Sequence, residues 1–184
     1  MGTAGISPRV TDFVANFQGG GARPNLYNVI MTFPFGTTAN TTATKLSYTC
    51  RTASLPSSNM GIAMVPYMGR QVKIAGDKVF DDWTITVVND ADFVVRDAFE
   101  RWLDRINGHM SNIAARGWSN PLNYLARAEI IQLDREDRDL KKYTMEGIFP
   151  TSVSEIQMGY DQNDMVEEFS VTLAVNYWSS DTTT

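Results

Sequence analysis

Three features of this 184-residue chain are of the kind that could do chemistry: a single cysteine, Cys50, a single histidine, His109, and the acidic run Asp161-Gln-Asn-Asp164. A thiol nucleophile needs a base beside it, and a zinc site draws three or four ligands from histidine, cysteine and carboxylates. Cys50 shares an alternating run with Leu46 and Tyr48 and reads as a small buried hydrophobe. His109 follows Asn107-Gly108 at an expected helix end, where a cation or a surface residue is ordinary. The acidic run resembles part of a calcium loop but lacks the flanking helix pair and the closing glutamate. A nucleophile elbow, a His-Glu-x-x-His pair and a cysteine or histidine cluster are all absent from the sequence, so no catalytic residue, metal site or cofactor is expected.

Composition narrows the remaining classes. The chain carries 16 basic and 21 acidic side chains for a net charge of −5, and its longest basic cluster is Lys141-Lys142. A protein built to grip nucleic acid would show a basic stripe instead. Hydrophobic residues make up 43% and aromatics 11%, which supports a folded core. Apolar runs stay well short of the ~20 residues of a membrane helix, and no membrane partner is expected. The opening MGTAGISPRVTDF has no basic flank leading into an apolar core, so a secretory signal is not indicated. One cysteine permits no internal disulfide, which suits assembly in a reducing cytoplasm. Residues 1–184 read as one domain, large enough to bury roughly two-thirds of its unfolded surface.

The elements that would position these residues follow from periodicity. A short helix is expected over 11–17, then the triple glycine 19–21 as a hinge, which makes 1–21 a flexible arm. Tyr27, Val29, Met31 and Phe33 alternate in a strand over 26–35 that Pro34 limits to an edge or to its end. The Thr-rich stretch 37–44 reads as a surface loop, and 45–52 as a strand with Leu46, Tyr48 and Cys50 on one face. The stretch 69–90 reads as the hairpin around which the chain is organised. Its Gly76-Asp77 supplies a turn, with Val72 and Ile74 before it and Trp83, Ile85 and Val87 after it on an apolar face. A helix capped by Asn89 or Asp90 runs to about 107, its stripe Val95, Phe99, Trp102 and Ile106 facing a sheet. Loop 109–123, strands over 124–133 and 141–149 around the charged tip 134–139, and a last strand over 166–178 complete the chain. The sum is a mainly β fold, an antiparallel β-sandwich or barrel of about seven strands with one main packed helix, ending in a polar tail at 179–184.

Four segments carry a resemblance. The run from Ile74 to Asp90, IAGDKVFDDWTITVVND, resembles the corresponding part of tail tube proteins of contractile-tailed (myovirus) bacteriophages. Ala22-Arg-Pro-Asn-Leu-Tyr27, Thr52-Ala-Ser-Leu-Pro56, and Phe149-Pro-Thr-Ser-Val153 with the final strand agree with it in order and spacing over residues 22–178. The resemblance implies homohexameric rings stacked into the inner tube of a contractile tail, the conduit for DNA ejection, in a virion tail assembled in the bacterial host cytoplasm. It extends in fold to the tubes of type VI secretion and contractile injection particles, which stay open as an alternative. Implied partners are other copies of the chain, the tail sheath protein, the baseplate, and the tape-measure and tail terminator proteins. DNA would pass through the lumen without specific binding.

Two surfaces then acquire roles. Residues 53–68 connect two strands yet carry Leu55, Met60, Ile62, Met64 and Tyr67, more apolar surface than a solvated loop needs. These side chains either fold back on the core or meet a neighbour; the resembled family uses the loop here to contact neighbouring subunits, so a projecting inter-subunit loop is expected. For the channel wall, the second faces of 83–88 and 169–177 are small and nearly uncharged and are expected to be covered. The lumen therefore falls to the polar faces of other strands: Ser47, Thr49 and Arg51; Gln71 and Lys73; Arg127 and Glu129; Thr144 and Glu146.

Overall fold

The computed structural model describes residues 9–17, 21–34 and 38–183. Its elements, in chain order, are α1 (Val10–Asn16), β1 (Tyr27–Thr32), α2 (Thr38–Thr49), β2 (Cys50–Ala53), β3 (Ser58–Tyr67), β4 (Arg70–Phe80), β5 (Trp83–Val88), α3 (Val94–Ile106), α4 (Pro121–Tyr124), β6 (Ala126–Leu133), β7 (Asp139–Val153), β8 (Glu168–Ala174) and β9 (Tyr177–Ser180). All strand pairs are antiparallel.

Seven strands form one sheet in the order β1-β6-β7-β8-β5-β2, with β9 also on β7, while β3 and β4 pair only with each other. The 15-residue β7 serves two halves: Asp139 to Ile148 pair with β6, and Phe149 to Val153 with β8. Just before the change of partner, Gly147 takes φ +66° at a register shift, and a Cβ there would overlap the Asn176 side chain. Only glycine adopts that backbone without strain, so this residue fixes where β7 passes from one half to the other. The alternating strand residues point inward from both halves: Val29, Met31, Ala128, Ile130 and Met145 from one, Trp83, Ile85, Val87, Phe169, Val171 and Leu173 from the other, all at most 2% exposed. Each such side chain removes roughly 1.5–3 kcal/mol worth of apolar surface from water.

Helix α3 closes this core with Val95, Ala98, Phe99 and Trp102 buried. Phe33 meets both Phe99 and Trp102 edge-on, at 5.3 and 5.8 Å between centroids. The two buried indoles keep their polar ends satisfied: Trp83 Nε1 donates to the Ser54 carbonyl at 2.8 Å and Trp102 Nε1 to that of Tyr124 at 3.0 Å. The expected stripe is therefore the packing face, but the helix starts at Val94, after Phe93 at φ 54°, not at Asn89 or Asp90. Asp92 Oδ1 accepts from Val94 N at 3.3 Å, while Asp90, the expected cap, accepts from Ala91 N at 2.8 Å and joins Asp92 in binding Lys45.

Four other sequence expectations are corrected. Residues 38–49 are helix α2, not a loop followed by a strand. Thr42 and Leu46, one turn apart, are buried while Tyr48 is 86% exposed, a helical and not an alternating pattern. Thr44, Ser47 and Thr49 hydroxyls donate to the carbonyls of Asn40, Thr44 and Lys45, which lets hydroxyl-rich sequence stay helical. The Gly76-Asp77 turn is absent, because β4 runs through it and the chain reverses at Met68 and Gly69, both at positive φ (45° and 78°). Gly76 instead faces Gly61 across a bulge, where a Cβ on either would come within 3.1 Å of the opposite backbone. The last strand divides into β8 and β9 at Val175 and Asn176, so Ser179 and Ser180, assigned to the tail, lie in β9. The described residues thus form nine strands, against about seven expected. Finally, the second face of β5 and β8 is open in the single chain: Thr84 is exposed, and Thr86, Ser170 and Thr172 are half-buried, with cross-strand hydroxyl pairs Thr84–Thr172 and Thr86–Ser170 at 3.3 Å.

The expected short N-terminal helix is present as α1, which buries none of its residues. The greater part of the expected hinge, Gly19 and Gly20, lies outside the described residues, as does Phe35 at the end of the first expected strand. Pro34 lies beyond the end of the first strand at Thr32, and among the described residues β1 pairs with β6 alone, which makes it an edge.

Candidate assembly surfaces

Among the described residues strands β3 and β4 pair with each other alone, and nearly all their residues are exposed, so the ribbon stands away from the sandwich. The register places Ala63 opposite Ile74, Val65 opposite Val72 and Tyr67 opposite Arg70 on one face, with Ile62 opposite Ala75 and Met64 opposite Lys73 on the other. The five residues expected in this contact, Leu55, Met60, Ile62, Met64 and Tyr67, are all 48–63% exposed. Val72 and Ile74, read from the sequence as part of the apolar face of the organising hairpin, are 48% and 52% exposed and extend the same apolar surface. Their alternation with Gln71 and Lys73 imitates a half-buried strand; what could have exposed the difference is the equally apolar stretch just upstream, which supplies a partner strand.

The ribbon is fixed at its base. Asp81 accepts from Ser57 Oγ at 2.7 Å and from Asn59 Nδ2 at 2.9 and 3.0 Å, and Trp178 Nε1 donates to the Ser57 carbonyl at 3.0 Å. Phe80 meets Trp178 edge-on at 6.3 Å, with the Lys78 ammonium 5.0 and 5.4 Å from the two rings. A contact element held in one orientation loses less freedom on binding than a loose loop.

A second surface lies on the outer face of β6 and β7. Arg127 pairs with Glu129 at 2.8 Å and Glu146 at 3.2 Å, and Lys142 with Glu129 at 2.6 Å. Thr144 stands opposite Glu129 in the ladder. Four of the nine expected lumen residues, Arg127, Glu129, Thr144 and Glu146, are thus brought together, and Lys142, which the sequence reading left out, completes a cluster of two cations and two anions. The other five lie elsewhere. Ser47 and Thr49 are on α2 with hydroxyls turned to its own carbonyls, Arg51 on β2 is paired with Glu168, and Gln71 and Lys73 are on the ribbon.

The groups singled out for chemistry have structural surroundings. Cys50 lies half-buried against the core with its thiol pushed up to about 12 by burial, and Sγ faces the Thr52 carbonyl at 3.6 Å. His109 Nδ1 meets Asp104 Oδ1 at 2.7 Å, and that hydrogen bond holds the Asp104 carboxyl below its usual range. Among the described residues no group of three or more His, Cys, Asp or Glu could hold a metal ion.

A seven-stranded sandwich carrying an exposed apolar ribbon and open strand edges belongs to the class of folds whose edges call for a covering partner. Comparison with known proteins gives this class its family. The model of the phage tail tube protein family matches residues 22–181. The chain is 32% identical over 171 residues to tail tube protein gp19 of Enterobacteria phage T4, covering 92% of this chain and 98% of that one. It is 28% identical over 158 residues to the tail tube protein of Serratia phage KSP90, covering 85% and 87%. Among solved structures, a chain of the tube-terminating cap of the anti-feeding prophage superposes with TM-score 0.62 at 13% identity over 87% of this chain and 90% of that one. A chain of the sheath–tube complex of an extracellular contractile injection system, PVC, in the extended state gives 0.57 at 12% identity over 95% and 98%. The chain belongs to the phage tail tube protein family. It is a tail tube protein of contractile phage tails and a structural component of the virion tail.

Proposed function

We propose that this chain forms homohexameric rings that stack into the inner tube of a contractile phage tail, and that the tube is the conduit for DNA ejection. Its task is mechanical and not enzymatic. The observation that carries the reading is the β3–β4 ribbon: long, apolar on both faces, exposed, and pinned at its base by Asp81 and Trp178. A surface of that kind on a subunit of a tube calls for another copy. The family and the likeness to chains of sheath–tube and cap assemblies support the tail sheath, baseplate, tape-measure and tail terminator proteins as further partners. Assembly takes place in the host cytoplasm.

The outer face of β6 and β7 is the part of the expected channel wall that the fold holds on one surface. Every phosphate-bound cation would raise affinity, log affinity changing with log salt by about 0.9 per contact on duplex DNA. Here Arg127 and Lys142 are engaged by Glu129 and Glu146, so the cluster offers DNA no net positive charge. Negative-stain electron microscopy of the purified protein tests the assembly: sixfold rings and stacked tubes are expected, and rings of another symmetry would overturn the reading. The wall is tested by mixing tubes with duplex DNA at physiological salt. Retention of the DNA with a steep salt dependence would remove β6 and β7 from a low-friction lumen.

A further inference from the structure

We propose that the ribbon tip of one copy seats in an acidic groove on another copy, formed by the segment 154–168 between β7 and β8; this rests on the reading of the ribbon as an inter-subunit element. The groove has a volume of 840 Å³ and is lined by Ile156, Met158, Tyr160 and Val166 with Glu155 and Glu167 among them. Ile156 is partly buried against the core, while the other apolar side chains are uncovered, Met158 being 80% and Val166 65% exposed and Tyr160 fully so. Glu167 accepts from the neutral Asn89 amide at 3.0 Å, and the one cation in the lining, Arg51, is taken by Glu168.

Charge identifies the occupant. Residues 154–168 hold five acidic and no basic side chains, and no lysine or arginine occurs anywhere from 143 to 184. Residues 54–76 hold the reverse: no acidic side chain, and Arg70 and Lys73 near the tip. Neither cation is in an ion pair among the described residues. Tyr67, which stands beside Arg70 in the register, and Met68, which is 87% exposed, give the tip its apolar part. An apolar tip carrying two cations matches an apolar groove rimmed with carboxylates, and such complementarity sets register and suppresses wrong partners.

Within one chain the two do not meet: Met68 at the tip and Met158 and Tyr160 in the groove are all exposed. β4 passes through Asp81-Asp82 into β5 at Trp83, which pairs with Leu173, whereas the acidic segment enters β8 at Glu168, which pairs with Val88 at the other end of the same two strands. The ribbon base and the groove are therefore separated by the length of β5, about 17 Å at 3.3 Å per residue. One end of each molecule donates and the other receives, a head-to-tail relation that repeats from copy to copy without a twofold axis.

The test is a cross-link in assembled tubes. In a Cys50→Ser background, which has no other cysteine, Tyr67→Cys and Gln157→Cys are combined and the tubes oxidised. A ladder of covalent multimers is expected from the double variant and none from either single variant. Tubes that assemble but give no ladder, or a ladder equally strong from one single variant, would overturn the groove as the seat. As a second measure, Arg70→Glu with Lys73→Glu raises the protein concentration needed for tube growth by about tenfold or more, and Glu155→Lys with Glu167→Lys on the same chain restores it. Failure of the reversal to restore growth in folded subunits also rejects the groove. The underlying reading fails differently: tubes that grow normally with Ile62→Asp and Met64→Asp show that the ribbon is not a contact at all.

Discussion

Replacing Ile62 and Met64 by aspartate separates folding from assembly. Both side chains lie on the same ribbon face, neither touches the sandwich core, and they are 59% and 54% exposed in the single chain. Fully burying one such side chain contributes about 1.5–3 kcal/mol, so the half still open contributes about 1 kcal/mol each on contact, or ~2 kcal/mol per copy for the pair. The aspartates add the cost of moving charge out of water into an apolar contact, several kcal/mol per group unless it is paired. A loss of ~5 kcal/mol or more per contact is a factor above a thousand in association, repeated at every ribbon around a ring. The fold has no matching loss, because the ribbon contributes nothing to the buried cluster. Circular dichroism and thermal melting should therefore be unchanged while sedimentation and electron microscopy show rings or single subunits in place of tubes. Tubes of wild-type length at wild-type concentration would refute the assignment of this ribbon to an inter-subunit contact. Loss of the folded state would place it in the core.

Cys50→Ser should fold and assemble with a stability loss of about 1 kcal/mol, since the hydroxyl can donate to the Thr52 carbonyl but loses apolar packing. With its thiol pushed up to about 12, Cys50 should alkylate at pH 8 on the order of a thousandfold more slowly than a free cysteine; brisk labelling of folded protein would contradict its burial. Gly147→Ala forces a side chain onto φ +66° and into Asn176, costing about 2 kcal/mol or more in thermal or urea unfolding, and Asn176→Ala in the same chain should recover part of it. Glu129→Lys with Glu146→Lys turns a neutral cluster into one of four cations. Tubes should still assemble but retain duplex DNA with a salt-dependent affinity and slow its ejection, and unchanged DNA behaviour would take these residues out of the wall.

The sandwich was legible where burial is one-sided. Burial alternates along the whole of strands 83–88 and 168–174 and over 28–32 and 127–131 of the strands at 27–32 and 126–133, and α3 carries four apolar residues at helical spacing, so each element's period declares which face is inside. The failures share a cause: a local signal whose meaning depends on a distant neighbour. Gly76-Asp77 has the composition of a turn, but Gly76 is small because Gly61 lies across from it in β3. The threonines of 38–49 oppose a helix by propensity and remain in one because Leu46 and Thr42 find the core and the hydroxyls bond to their own turns. Gly147 and Asn176, far apart in the chain, together decide where β7 changes partners and where β8 gives way to β9, and neither residue signals this alone.

The same distinction explains why an exposed apolar surface was easier to find than its extent. Apolar side chains in 53–68 stand out whether the segment is a loop or a strand, because they exceed what a solvated connection can carry. That the surface is a ribbon, and so includes Val72 and Ile74, requires knowing that β4 leaves the sandwich, and its alternating sequence cannot distinguish a face covered by its own core from one covered by another molecule. In a subunit of an assembly those two kinds of burial select the same residues. What separates them here is the base of the ribbon: Asp81 holding Ser57 and Asn59, and Trp178 holding the Ser57 carbonyl, polar contacts that a strand continuous with the sheet would not need. The base therefore offers a test of preorganisation that leaves the contact itself intact. Asp81→Ala removes three hydrogen bonds outside the core, so melting should shift little while the onset of tube growth is delayed, because each ribbon must then be ordered as it docks. Growth at the wild-type rate would show that the ribbon's own ladder, and not its base, sets its direction.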